Sequence, residues 1–140
     1  MRRLRAHAFG VSAQYYMKNI IAVFIATLFF GVLALAHVLI SLHYWSEEKS
    51  AIDSYLANII QPVLIMIAGY ICVKISSVKK WWFAGFFAIT TYILLVVYVI
   101  FLGPSIDFST CGLASMKVPA ALAVFSLLGG GIYQYYSTKH

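Results

Sequence analysis

The chain has 140 residues, 63% of them hydrophobic and 10% charged, with ten Lys/Arg against four Asp/Glu for a formal charge of +6. Soluble domains run about 45–50% apolar and about 25% charged, so a water-soluble fold of this length has nowhere to bury its apolar surface. That argues against a cytosolic enzyme or a nucleic-acid binder and for an all-α, multi-pass membrane protein.

In chain order, four apolar stretches approach the roughly 20 helical residues that cross a hydrocarbon core of about 30 Å. They cover residues 20–42, 55–75, 81–102 and 118–136. Lipid offers no water to unpaired backbone groups, and four segments are too few for a barrel, so each is expected to be a transmembrane helix. The connections are too short to hold a second folded unit. The expectation is one domain, residues 1–140, forming an antiparallel four-helix bundle. The third stretch is the purest, interrupted only by Thr90, Thr91 and tyrosines. It is expected to be the most lipid-exposed.

Charge sets the expected orientation. Arg2, Arg3, Arg5 and Lys18 precede the first stretch, Lys74, Lys79 and Lys80 lie around the second connection, and Lys139 follows the fourth; only Lys49 and Lys117 fall on the other side. The excess of Lys/Arg on one side predicts both termini in the cytoplasm. Tyr15, Tyr16, Tyr44, Trp45, Trp81, Trp82, Tyr135 and Tyr136 flank the stretches, where interfacial aromatics belong. Residues 1–36 also resemble a signal peptide, ending in the small-x-small pattern Ala34-Leu35-Ala36. The apolar run continues past it through His37-Val38-Leu39-Ile40, which favours an uncleaved span. The segment Met1–Lys18 reads either as a short interfacial helix on the anionic leaflet or as a disordered basic tail.

Chemistry-bearing residues are sparse. No Asp or Glu lies inside any of the four stretches, so the usual mark of a pump or ion-coupled transporter is missing. There is no glycine-rich phosphate loop and no HExxH. The chain is expected not to be an enzyme and to carry no cofactor or metal. His37 is the one ionisable side chain deep in a stretch, with proton relay, haem ligation or plain packing as its readings. His7, His43 and His140 do not share its depth, so a bis-histidine haem would need a partner subunit. Cys72 and Cys111 are expected near opposite faces of the bilayer, too far apart for a disulfide.

Three further features stand out. Pro62, after Gln61, sits inside the second stretch and predicts a kink, since it cannot bond the carbonyl of Asn58. Ser126 and Gly130 form a small-xxx-small pair suited to close helix packing, beside the triplet Gly129-Gly130-Gly131. A rise of about 1.5 Å per residue places His37, Asn58, Gln61 and Tyr98 in one layer, roughly 5–9 Å inside the outer surface. These four are expected to form one polar cluster, with His37 and Gln61 facing inward and bonded to one another or to trapped water.

In size, basic N-terminus and number of spans, the chain resembles in outline small bacterial inner-membrane proteins, among them immunity proteins against pore-forming toxins, exclusion proteins and accessory subunits. No residue is carried over from them. The expected function is intramembrane binding to another integral membrane protein, or self-association, with the lipid bilayer as its other partner and no nucleic acid. A small oligomeric channel or permease is the first alternative, and a haem-bearing anchor subunit the second.

Overall fold

The computed structural model describes residues 2–44, 50–102 and 117–139, with the side chains of 12–37, 39, 59–98, 100, 101 and 117–139. Their regular structure is helical throughout: α1 (Arg2–Tyr44), α2 (Ser50–Ile75), a 3-10 turn (Trp81–Phe83) that runs straight into α3 (Ala84–Leu102), and α4 (Lys117–Lys139). Three of these, over Ser12–His37, Trp81–Tyr98 and Lys117–Lys139, are long and apolar enough to cross a membrane, while α2 holds a shorter apolar stretch, Ile59–Ile75. The helices fall where the apolar runs predict them, with longer ends: α2 begins at Ser50 rather than residue 55, and α4 runs on to Lys139. From Arg2 onward, the N-terminal segment is the unbroken beginning of α1 rather than a separate helix or a tail. At 43 residues, α1 is about 64 Å long.

Each helix turns a stripe of small or aromatic residues inward at steps of three and four, the spacing that puts side chains on one helical face. On α1 the stripe is Ala22, Ala26 and Phe30; on α2 it is Ile65, Ala68, Cys72, Val73 and Ser76. Phe83 and then Ala84, Phe87, Ala88 and Thr91 supply it on α3, and Leu122, Ser126, Gly129 and Gly130 on α4. The opposite faces are just as apolar. Ile20, Phe24, Ile59, Ile89 and Phe101 are all well exposed, Phe101 by 76%. Helices that are apolar all round belong in a lipid-like solvent.

The closest approach in the molecule is between α2 and α4. A Cβ added to Gly69 would overlap the carbonyl oxygen of Ser126, and one added to Gly129 would overlap that of Met66. The two backbones therefore lie against each other, and Ser126 is fully buried between them. Close approach of this kind maximises van der Waals contact, the main source of helix association where hydrophobicity cannot discriminate protein from lipid. Tyr70 and Tyr133 extend the same interface with an edge-to-face pair at 5.4 Å.

Around this pair, α3 touches all three other long helices, and α1 packs on α2 and α3 but, among the described residues, not on α4. An edge-to-face contact of Phe30 with Phe87 at 6.1 Å joins α1 to α3. The sequence expectation for the third helix is thus corrected. Among the three long spans α3 has the largest buried share and α1 the smallest. Purity of apolar composition does not measure lipid exposure, because Phe87, Ala88 and Thr91 serve packing as well as leucines would serve lipid.

The α2–α4 contact makes a sharp prediction. Gly129→Ala forces a methyl group into the Met66 carbonyl and should destabilise the fold by about 1–3 kcal/mol, the usual cost of overpacking. Gly31→Ala, at a position with nothing within 4 Å of an added Cβ, should be neutral or stabilising by up to about 1 kcal/mol. Unfolding in mixed detergent micelles measures both.

Candidate functional site

Between the unjoined α1 and α4 lies a cleft of about 540 Å³, to which all four helices contribute. Phe30 and Ala34 form one wall, Ala121 and Leu122 the other, and Gln61, Pro62, Ile65 and Leu95 the floor. Lys117 and Val118, at the start of α4, stand at its end. The lining is apolar apart from the Gln61 amide and the Lys117 ammonium. Pro62 lies inside α2, which continues as helix through it. Having no N–H, Pro62 leaves the Asn58 carbonyl without its usual donor one turn along.

Of the four residues expected to cluster, the structure brings only Gln61 to this cleft. His37 is half-buried on α1 and does not line it. Tyr98 is 56% exposed on α3 and does not join Gln61 at the cleft. The side chain of Asn58 lies outside the described residues. No hydrogen bond joins His37, Gln61 and Tyr98 to one another. Rise per residue fixes depth, but the rotation of each helix decides which way a side chain points, and α3 turns Leu95 rather than Tyr98 to the cleft.

Ser126 and Gly130 do pack closely, within the chain. Ser126 meets Gly69, while a Cβ on Gly130 would come to 2.6 Å from the Trp81 carbonyl and 3.1 Å from Val73 and Ala84. Sequence reasoning missed their counterpart on α2, Gly69, and named Gly129, which meets Met66, only as part of the glycine triplet. Cys72 is fully buried in the α2 stripe, and Cys111 lies outside the described residues, as do Glu47, Glu48, Asp107 and the side chains of His43 and Asp53. No protein-family model, no curated protein and no solved structure matches the chain. Among the described residues no group of three His, Cys, Asp or Glu could hold a metal ion.

A second polar arrangement, also missed from sequence, ties the opposite end of the helices together. The backbone N–H of Ser77 donates to the Asn19 side-chain oxygen of α1 at 2.8 Å. The N–H of Trp81 donates to the Gln134 side-chain oxygen of α4 at 3.0 Å. Both N–H groups belong to the α2–α3 turn, whose donors have no helical partner of their own. Inside the turn, buried Ser76 donates its hydroxyl to the Val73 carbonyl at 3.0 Å and accepts the Lys79 N–H at 3.3 Å. Lys79 takes a left-handed φ of 54°, uncommon for a residue with a side chain. Its ammonium reaches back to the Lys74 carbonyl and lies over the Tyr133 ring at 5.4 Å. Two amides at the ends of apolar stretches were the available signal.

Two outcomes follow. Asn19→Ala and Gln134→Ala each orphan one turn N–H and should cost about 0.6 kcal/mol, and at most nearly 2, measured by the same unfolding assay. His37→Phe and Gln61→Leu, which share no bond, should give losses that add within about 0.5 kcal/mol in the double variant.

Proposed function

We propose that the chain is a non-enzymatic, multi-pass membrane protein of a bacterial inner membrane. Its four helices cross as an antiparallel bundle with both termini in the cytoplasm, and it acts by binding another integral membrane protein within the bilayer. Support for the setting comes from the exposed apolar faces of every helix and from the Asn19–Ser77 and Trp81–Gln134 bonds. Those bonds gather Lys18, Lys74, Lys79, Lys80 and Lys139 towards one end, and Lys117 belongs to the other. Such an asymmetry favours the cytoplasm for the basic end.

The observation that carries the binding role is the cleft between α1 and α4. A lateral, apolar opening with one amide in its floor suits a partner helix, which gains contact area from small wall residues such as Ala34 and Ala121 and a hydrogen bond from Gln61. The same cleft supports a second reading, a small channel or permease, because Gln61 and Lys117 would make a polar lining once copies assemble around it.

Three measurements test these readings. A photo-crosslinking residue at Ala121 in native membranes should yield a discrete protein adduct, and Ala34→Phe should abolish that adduct while the chain still accumulates. The purified protein in liposomes should pass no ions or small solutes; robust flux without a partner would overturn the binding role and favour the channel. For topology, Cys72 is uninformative, being shielded from reagents on either side. In a Cys72→Ala background, a membrane-impermeant thiol reagent should label Cys111 in spheroplasts, and the thiol introduced by Thr138→Cys only after lysis. The reverse pattern would invert the orientation.

A further inference from the structure

A second opening, of about 450 Å³, runs along the outside of the molecule between α1 and α3. Its walls are Ile20, Phe24 and Leu28 on one side and Phe83, Phe86 and Leu94 on the other. It spans more than two turns of each helix and ends at Asn19, the residue that anchors the α2–α3 turn. The lysines near that end are not equivalent. Lys79 is drawn to the α4 side by the Lys74 carbonyl and the Tyr133 ring. Lys18, one residue before Asn19, and Lys80, at the start of the 3-10 turn that supplies Phe83, are exposed. The Lys80 carbonyl accepts the Phe83 N–H, but no hydrogen bond or ring contact joins either ammonium group to another described residue. The Asn19–Ser77 bond holds the segments carrying these two ammonium groups together at the same mouth. Trp82, 45% exposed and tilted at 59° against the Phe86 ring at 6.1 Å, neighbours this turn.

We infer that the α1–α3 groove is a binding site for an anionic phospholipid, its acyl chain lying along Ile20, Phe24, Phe86 and Leu94 and its phosphate between Lys18 and Lys80. The inference rests on the membrane reading above, and charge complementarity decides the occupant. An apolar groove alone accepts any lipid tail or a partner helix, whereas two unengaged cations at one end select a tail that carries a negative head. Basic pockets at the cytoplasmic ends of helices bind such headgroups, with each lysine or arginine contributing about fivefold in affinity. Rising salt weakens the headgroup contribution, because exposed charges are screened over about 10 Å at 0.1 M.

Native mass spectrometry of the full-length protein in detergent, titrated with phosphatidylglycerol or phosphatidylcholine of identical acyl chains, provides the test. Phosphatidylglycerol should be retained preferentially at one site. Lys18→Gln with Lys80→Gln should weaken that retention by about fivefold per lysine and leave phosphatidylcholine unchanged. Ile20→Trp, at an exposed wall position, should lower retention of both lipids by crowding the groove. Equal retention of the two lipids by the unaltered protein overturns the inference. So does a preference that survives loss of Lys18 and Lys80, or one removed only by neutralising Arg2, Arg3 and Arg5. A photo-crosslinking residue at Leu94 in native membranes should carry phospholipid; an adduct with a second protein or a second copy overturns the assignment in favour of that occupant. In each of these failures the protein still needs detergent for extraction, so the membrane reading stands. Release by alkaline carbonate would remove that reading itself.

Discussion

Two helix backbones pressed together at Gly69, Ser126 and Gly129 set the arrangement of everything else. In water a hydrophobic stripe is enough to choose a partner, because the alternative is exposure. In lipid that alternative carries no penalty, and selection falls to how closely two surfaces can fit. Gly69 and Gly129 remove the Cβ atoms that would hold α2 and α4 apart. Once those helices are in contact, α3 fills the angle beside them and α1 is left to pack on α2 and α3. The open cleft between α1 and α4 is the geometric remainder of that choice.

The two ends of the helices are held in different ways. At the basic end, amides from α1 and α4 clamp the N–H groups of a turn only a few residues long, so the relative heights of three helices are fixed by directional bonds. At the other end the cleft separates the walls, and the polar groups there, Gln61 and Lys117, have no such bonds. Among the described residues, the hydrogen bonds that cross between helices thus lie at the basic end, and the cleft lies away from them. The α1–α3 groove is the exception: it is open along its length yet anchored at its mouth by Asn19.

The existence and order of the helices were legible in the sequence, since the need to satisfy backbone groups in lipid is written as long apolar runs, but the apolar runs did not mark where α1 begins. Pairing was not. A helix that is apolar on every side has no polar face to mark its outside, so α2 offers no pattern that singles out Gly69 from its neighbours. Ser126 and Gly130 could be flagged because several small residues gather there, but a lone glycine opposite them carries no such signal. The polar layer failed for a related reason. Counting residues from a helix end addresses the depth of Tyr98 and says nothing of its azimuth, which tertiary packing sets. Asn19 and Gln134 carry little signal in the sequence, because a polar side chain stands out in mid-span, where its cost is highest, and is ordinary at the end of a span, where these two make their bonds.

The central contact joins residues 66–73 of the second helix to residues 126–130 of the last, which bears on biogenesis. A nascent chain leaves the ribosome with α1, α2 and α3 before α4 exists, and through that interval the glycine face of α2 has no counterpart. That interface closes only after α4 has been made. Any arrest, frameshift or proteolytic loss after α3 therefore yields a species that is inserted but not consolidated, open to surveillance proteases and to illegitimate pairing with the small-residue faces of other nascent helices. Consolidation of the fold therefore waits on α4, whose Ser126 and Gly129 complete the contact that Met66 and Gly69 of α2 begin.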